Sequence, residues 1–293
     1  MKRFKNIVLS ATGCLGWLLF FVFAQVYYMV VAFAIRASFD KSYLHGVLDI
    51  IQKATNNGTN GSPENLMSAY IEILVGLTSY IEALMVVCMV GMLIIDRQIH
   101  KERFAFRKIP KTDIPKFIAI GIAINAIVSI VLNFVDTDLI SEADYDTSLL
   151  LQGSFLYTLI GVGICAPICE EIAFRYFIFH NSNRVNTKND RTTTIVCVLF
   201  TSALFGVVHG NLVQGLYAFA FSIIFCLYDI KYKSIIPGLI MHITVNSLST
   251  ILVLFDNIQY QVITIAVLFA VSLIVWFMCR LYKNKRNIDT IKN

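Results

Sequence analysis

The residues best equipped for chemistry in this chain are carboxylates, imidazoles and one amide embedded in apolar surroundings. Cys169 to Arg175 reads CEEIAFR and puts Glu170, Glu171 and Arg175 in a run that otherwise avoids charge. FGVVHG, at 205–210, places Phe205 four residues before His209; HITVN, at 242–246, gives His242 and Asn246 the same spacing. Residues four apart share a helix face, so Glu171 and Arg175 can pair and lower each other's burial cost. Glu170 is turned about 100° from that face and points elsewhere. A buried carboxylate beside a histidine can take a proton from water. A second histidine and an amide NH₂ can hydrogen-bond a developing oxyanion. Together these are the parts for hydrolysing an amide bond. Two histidines and a glutamate also form a known catalytic zinc set with an open position, which here would be Glu170, His209 and His242. HExxH spacing is absent and Asn246 is a poor zinc ligand, so the reading that requires no cofactor is preferred, with zinc as the alternative. Cys165 and Cys169, one turn apart, are a weaker candidate metal pair.

These groups need elements to hold them. The 293 residues are 57% hydrophobic and 15% charged, with a mean hydropathy of +0.70, whereas soluble domains run nearer a quarter charged. Repeated apolar stretches of about 18 residues or more predict an all-α, polytopic membrane helix bundle. Eight transmembrane helices are expected, at 7–35, 66–95, 115–135, 152–180, 192–210, 213–230, 234–255 and 259–279. The first apolar run is much longer than a signal-peptide core, so an uncleaved anchor is expected. The organisation reads as N-terminal helices and a basic loop over 1–150, a chemical core over 151–256, and a last helix with a basic tail over 257–293. At about 1.5 Å of rise per residue, Glu170, His209, His242 and Asn246 can meet near mid-bilayer. Gly206 and Gly210 would let another backbone approach, and Pro237 with Gly238 would bend or start the seventh helix. Glu72 and Glu82 read as interfacial or cavity-facing acids, while His180 and Asp229 fall at inner helix ends, where water is available.

Charge gives the orientation. With both termini cytoplasmic, 20 of the 24 Lys and Arg residues fall at the inner ends and loops, as the positive-inside rule requires. The formal charge of +5 therefore reflects topology, and no basic stripe with exposed aromatics indicates nucleic acid. The seven cysteines form no CxxC and read as small buried hydrophobes. NNGTNGSPE reads as a flexible linker, with Asn57 and Asn60 in N-x-S/T patterns. The basic segment DRQIHKERFAFRKIPK reads as resting on anionic headgroups or as a solvated loop. No repeated halves with broken helices are seen, which disfavours a transporter.

EExxxR, FxxxH and HxxxN, in this order on separate helices, resemble the CPBP family: the CAAX prenyl endopeptidases, the bacteriocin-processing or Abi proteins, and the lysostaphin-resistance-A-like proteins. The resemblance runs from Pro167 to Asn246. It implies an intramembrane endopeptidase in which Glu170 is the general base and activates water with His209. It also implies that His242 and Asn246 hold the oxyanion, Glu171 and Arg175 form a structural pair, and Phe205 shapes the pocket. The family is often labelled metalloprotease, while a glutamate-protease description needs no metal. Tyr176 departs from the glycine that many members carry after the arginine. The implied partners are a membrane-associated peptide or protein substrate and the lipid bilayer. A bacterial plasma membrane is the expected location, and a catalytically dispensable partner for bacteriocin immunity or regulation is the alternative function.

Overall fold

Backbone crossing lipid must satisfy its own polar groups, and a helix does so within one segment. The computed structural model describes residues 2–56, 63–100, 107–134, 155–183, 191–210, 212–255 and 257–292. The linker at 57–62 with Asn57 and Asn60, residues 101–106 of the basic loop, and the acidic outer loop lie outside them, as does the side chain of Glu72. The described residues form nine helices: α1 (Lys2–Phe39), α2 (Lys41–Asn56), α3 (Pro63–His100), α4 (Ile114–Phe134), α5 (155–183), α6 (Arg191–Val207), α7 (Leu212–Tyr232), α8 (Ile236–Leu252) and α9 (Ile258–Lys292). The protein is an all-helical polytopic bundle. Six of these helices are long and apolar enough to cross a membrane, whereas α6 and α8 are shorter apolar helices. At 17 residues each, α6 and α8 reach about 25 Å, short of a hydrocarbon core of about 30 Å.

All eight expected helices have counterparts. The addition is α2, in the segment read as a connection. Asp40 starts it by capping: its carboxylate accepts from the Tyr43 backbone N–H at 3.0 Å and from the Ser42 hydroxyl. Those bonds, the Ser42 one foremost, hold the Asp40 carboxyl below its ordinary range. Arg36, at the end of α1, donates to the Gly76 carbonyl and covers the Tyr43 ring at 3.9 Å, tying α1, α2 and α3 together at one end of the bundle.

The largest packed core lies between α1, α3 and α5. Trp17 stacks on Phe177 with centroids 3.7 Å apart, and Phe21 meets Phe174 edge-on at 5.6 Å. A second core joins α4, α7 and α8 through Phe117, Ile124, Phe225 and Met241. At its end the Lys116 ammonium donates to the Tyr232 hydroxyl, which donates to Asp113 at 2.8 Å. Tyr176 is buried and donates to Asp96 at 2.7 Å, which ties α5 to α3.

Of the two glycines read as contact points, only Gly206 serves that purpose. A Cβ there would sit 2.6 Å from the Gly215 carbonyl oxygen, so α6 and α7 touch backbone to backbone. Gly210 has nothing within 4 Å; it turns the chain with φ +69. Gly206→Ala is therefore expected to cost about 1–3 kcal/mol of overpacking strain, measured as a lower unfolding midpoint in detergent. Gly210 has open space, and the same substitution there strains only the backbone.

Candidate active site

The site begins with an irregular helix. Within α5, Leu159–Cys165 and Glu171–Phe179 are π-wound, separated by one α-helical turn at Ala166–Glu170. Such windings are uncommon and cluster at functional sites. Pro167 leaves one carbonyl of this winding open. A π-wound carbonyl pairs with the N–H five residues on, and for Val162 that residue is Pro167, which has no N–H. The Val162 carbonyl instead accepts from Asn246 Nδ2 at 3.2 Å, and the neighbouring Gly163 carbonyl accepts from Ser247 Oγ at 3.1 Å. One irregular turn thus fixes the registration of α5 against α8.

That registration brings the two glutamates to one histidine. His242 Nδ1 lies 2.9 Å from Glu171 Oε1, and His242 Nε2 lies 3.5 Å from Glu170 Oε2. Glu171 is fully buried, and its Oε2 lies 3.2 Å from Arg175 Nε. The contact is a charge pair by distance without hydrogen-bond alignment. The guanidinium carbon lies over the Phe205 ring at 4.4 Å and the Phe225 ring at 5.4 Å. Spacing separated Glu170 from the Glu171–Arg175 pair, and the tertiary contact through His242 rejoins them. Glu170 Oε2 is buried and takes no hydrogen bond from the described residues.

Asp229 corrects the reading from sequence. It sits near the end of α7, yet it is buried at 4% exposure beside this cluster and is not in water. Its Oδ1 accepts the Gly238 N–H at 3.1 Å, and a Cβ on Gly238 would meet both Asp229 oxygens and Glu171 Oε2 at 3.1 Å. Pro237 and Gly238 do open α8, but Gly238 has a second use: it leaves room for two carboxylates around one arginine. The only sequence signal was an acid near an apolar helix end, where water is the ordinary partner.

His209 lies past the end of α6, in the turn before α7. Its Nδ1 lies 2.7 Å from the Phe205 carbonyl. A carbonyl only accepts, so Nδ1 carries the proton and Nε2 is left as an acceptor in the neutral ring. Phe205 touches both imidazoles, with centroids 4.9 Å from His209 and 5.7 Å from His242. It is a wedge among the polar groups as well as part of the wall.

Glu170, Phe205, His209, His242 and Asn246 all line one cavity of about 360 Å³. Glu82 of α3 lines it too and is buried. The cavity-facing alternative for that residue is the one realised. Among the described residues, no three His, Cys, Asp or Glu side chains are grouped so as to hold a metal ion. Glu170, His209 and His242 therefore do not fit a shared zinc as arranged here, and no step below runs through a metal. The cysteines form no disulfide among the described residues, and Cys169 lies buried with Sγ 3.9 Å from the Glu82 carbonyl.

Comparison with protein families gives a match over residues 152–248 to the type II CAAX prenyl endopeptidase Rce1-like family. The matched segment runs from just before α5 to within α8 and contains every residue of the motif constellation. No curated protein and no solved structure matches the chain.

Proposed function

From a chain whose residues 152–248 belong to the CAAX-type intramembrane endopeptidases, we propose a mechanism in which Glu170 activates water for attack on a peptide carbonyl. The observation that carries this reading is the buried Oε2 of Glu170, which takes no hydrogen bond from the described residues and sits on the wall of a cavity shared with both histidines. Water held between that oxygen and His209 Nε2 loses a proton to the carboxylate as its oxygen attacks. The proton has His242 Nε2 as its next acceptor, 3.5 Å away. Once doubly protonated, that ring donates to the oxyanion while Glu171 holds its Nδ1. Asn246 spends one N–H on Val162 and has a second for the same oxyanion. Collapse of the tetrahedral intermediate breaks the C–N bond, and the stored proton goes to the leaving amine. Glu171 and Arg175 set the position of His242 without meeting substrate.

The substrate is a membrane-associated peptide or protein, and a bacterial plasma membrane is the proposed setting. Quantitative proteomics of membranes from a Glu170→Ala strain should show uncut precursors accumulating and their products missing. No difference from the parent strain would sink the reading. Hydrolysis by the purified protein is also expected to persist after prolonged chelation. Loss of activity on chelation, restored by zinc alone, would replace the metal-free mechanism with a metal-dependent one.

A further inference from the structure

We propose that the cavity is reached from the extracytoplasmic side of the membrane, so the peptide it takes is exposed on that face or held in the outer half of the bilayer. The role of substrate rests on the endopeptidase reading above; the access path stands on the cavity's geometry and the chain's charge distribution.

The cavity extends in one direction from the carboxylates. Along α5 its wall runs from Glu170 back to Thr158, and along α8 from His242 forward to Val253. These helices are antiparallel, so both walls lead to the same end of the bundle. The other contributions agree. Asn125 and Val128 come from the last half of α4, His209 from the turn beyond α6, and Gln214 from the first turn of α7. From His242 to Val253 the wall spans about 16 Å at 1.5 Å per residue, which is the length of four or five extended residues at roughly 3.3 Å each.

In the opposite direction the cavity has a floor. Every residue from Glu171 to Phe179 is buried, as are Asp229, Gly238 and Met241 across from them. The Glu171–Arg175 pair lies in that floor. A charged group sealed there leaves no path for a peptide.

Which face the floor looks toward follows from charge. Tyr176 bonds Asp96 at the end of α3, and Lys116 bonds Tyr232, so the floor lies at the end where α3 and α7 finish and α4 begins. The helix ends and loops on that side hold 20 of the chain's 24 Lys and Arg residues. The positive-inside rule makes that end cytoplasmic. The end with the opening carries only Arg36, Lys41 and Lys53. The turn bearing His209 sits there because α6 stops at Val207, about 25 Å from its basic start.

Single cysteines read out the access path without needing activity or a known substrate. Gln214→Cys and Val253→Cys mark the opening and Lys231→Cys the opposite end, each in the full-length chain, with the parent's native cysteines as background. A membrane-impermeant charged maleimide is applied to intact cells and to inverted membrane vesicles. The two opening variants should label above background in intact cells and lose that labelling in inverted vesicles, with Lys231→Cys showing the reverse. Labelling of Gln214→Cys and Val253→Cys only from the cytoplasmic side, or from neither side, overturns the proposal. Either result leaves the endopeptidase reading standing, because that reading is tested separately, by whether uncut precursors accumulate in the Glu170→Ala strain.

Discussion

Glu170→Gln should lower peptide hydrolysis about 10²–10⁴-fold, the usual contribution of a positioned general base, while the unfolding midpoint in detergent stays close to the parent's. The amide has the carboxylate's shape but cannot take a proton from water. Its effect on the fold should be small because Oε2 accepts no hydrogen bond from the described residues and its nearest approach to His242 is a long 3.5 Å. Measuring kcat and thermal unfolding on one preparation separates a chemical loss from a folding loss. Hydrolysis within a few-fold of the parent would remove Glu170 from the mechanism. An intact cellular phenotype in the same variant would favour a non-catalytic membrane partner.

Arg175→Met should be the most destabilising single change in the core, costing about 3–5 kcal/mol as expected when one partner of a buried ion pair is removed. Arg175 is 3% exposed and lies against two aromatic rings. Methionine keeps much of that packing, so the loss reports the charge. Without the guanidinium, the carboxylates of Glu171 and Asp229 remain buried around Gly238 with no described cation between them. Activity should fall as well, because Glu171 holds His242 Nδ1 at 2.9 Å. Adding Glu171→Gln to Arg175→Met should recover part of the stability, since it removes one stranded charge, but not the activity. If the single variant unfolds like the parent, Arg175 is not holding the cluster together.

Much of this was legible without coordinates. The helices were, because lipid admits few backbone solutions and apolar runs are long and unambiguous. Glu171 with Arg175 was, because a spacing of four is a local geometric fact. The start of α8 at Pro237 was, for the same reason. α2 is not legible in the same way, because it carries no long apolar run. Its signal was modest: Asp40 in capping position ahead of a mixed, amphipathic segment. The short reach of α6 is not legible either, since composition continues smoothly through Val207 and Val208 while the backbone turns. The burial of Asp229 is not legible because a helix end ordinarily meets water; here α8 begins against it and Gly238 closes the gap.

Sequence alone determined the class of molecule, its charge asymmetry and the set of side chains able to do chemistry, because each depends on residue type and on separations of a few positions. Tertiary structure alone decided that His242 stands between Glu170 and Glu171, that Asp229 joins their cluster, and that the cavity has a floor at one end. Those are distances between helices far apart in the chain. They are set by how a π-wound turn, a proline without an N–H and a pair of touching glycines let the helices approach, and no periodicity within one helix encodes them.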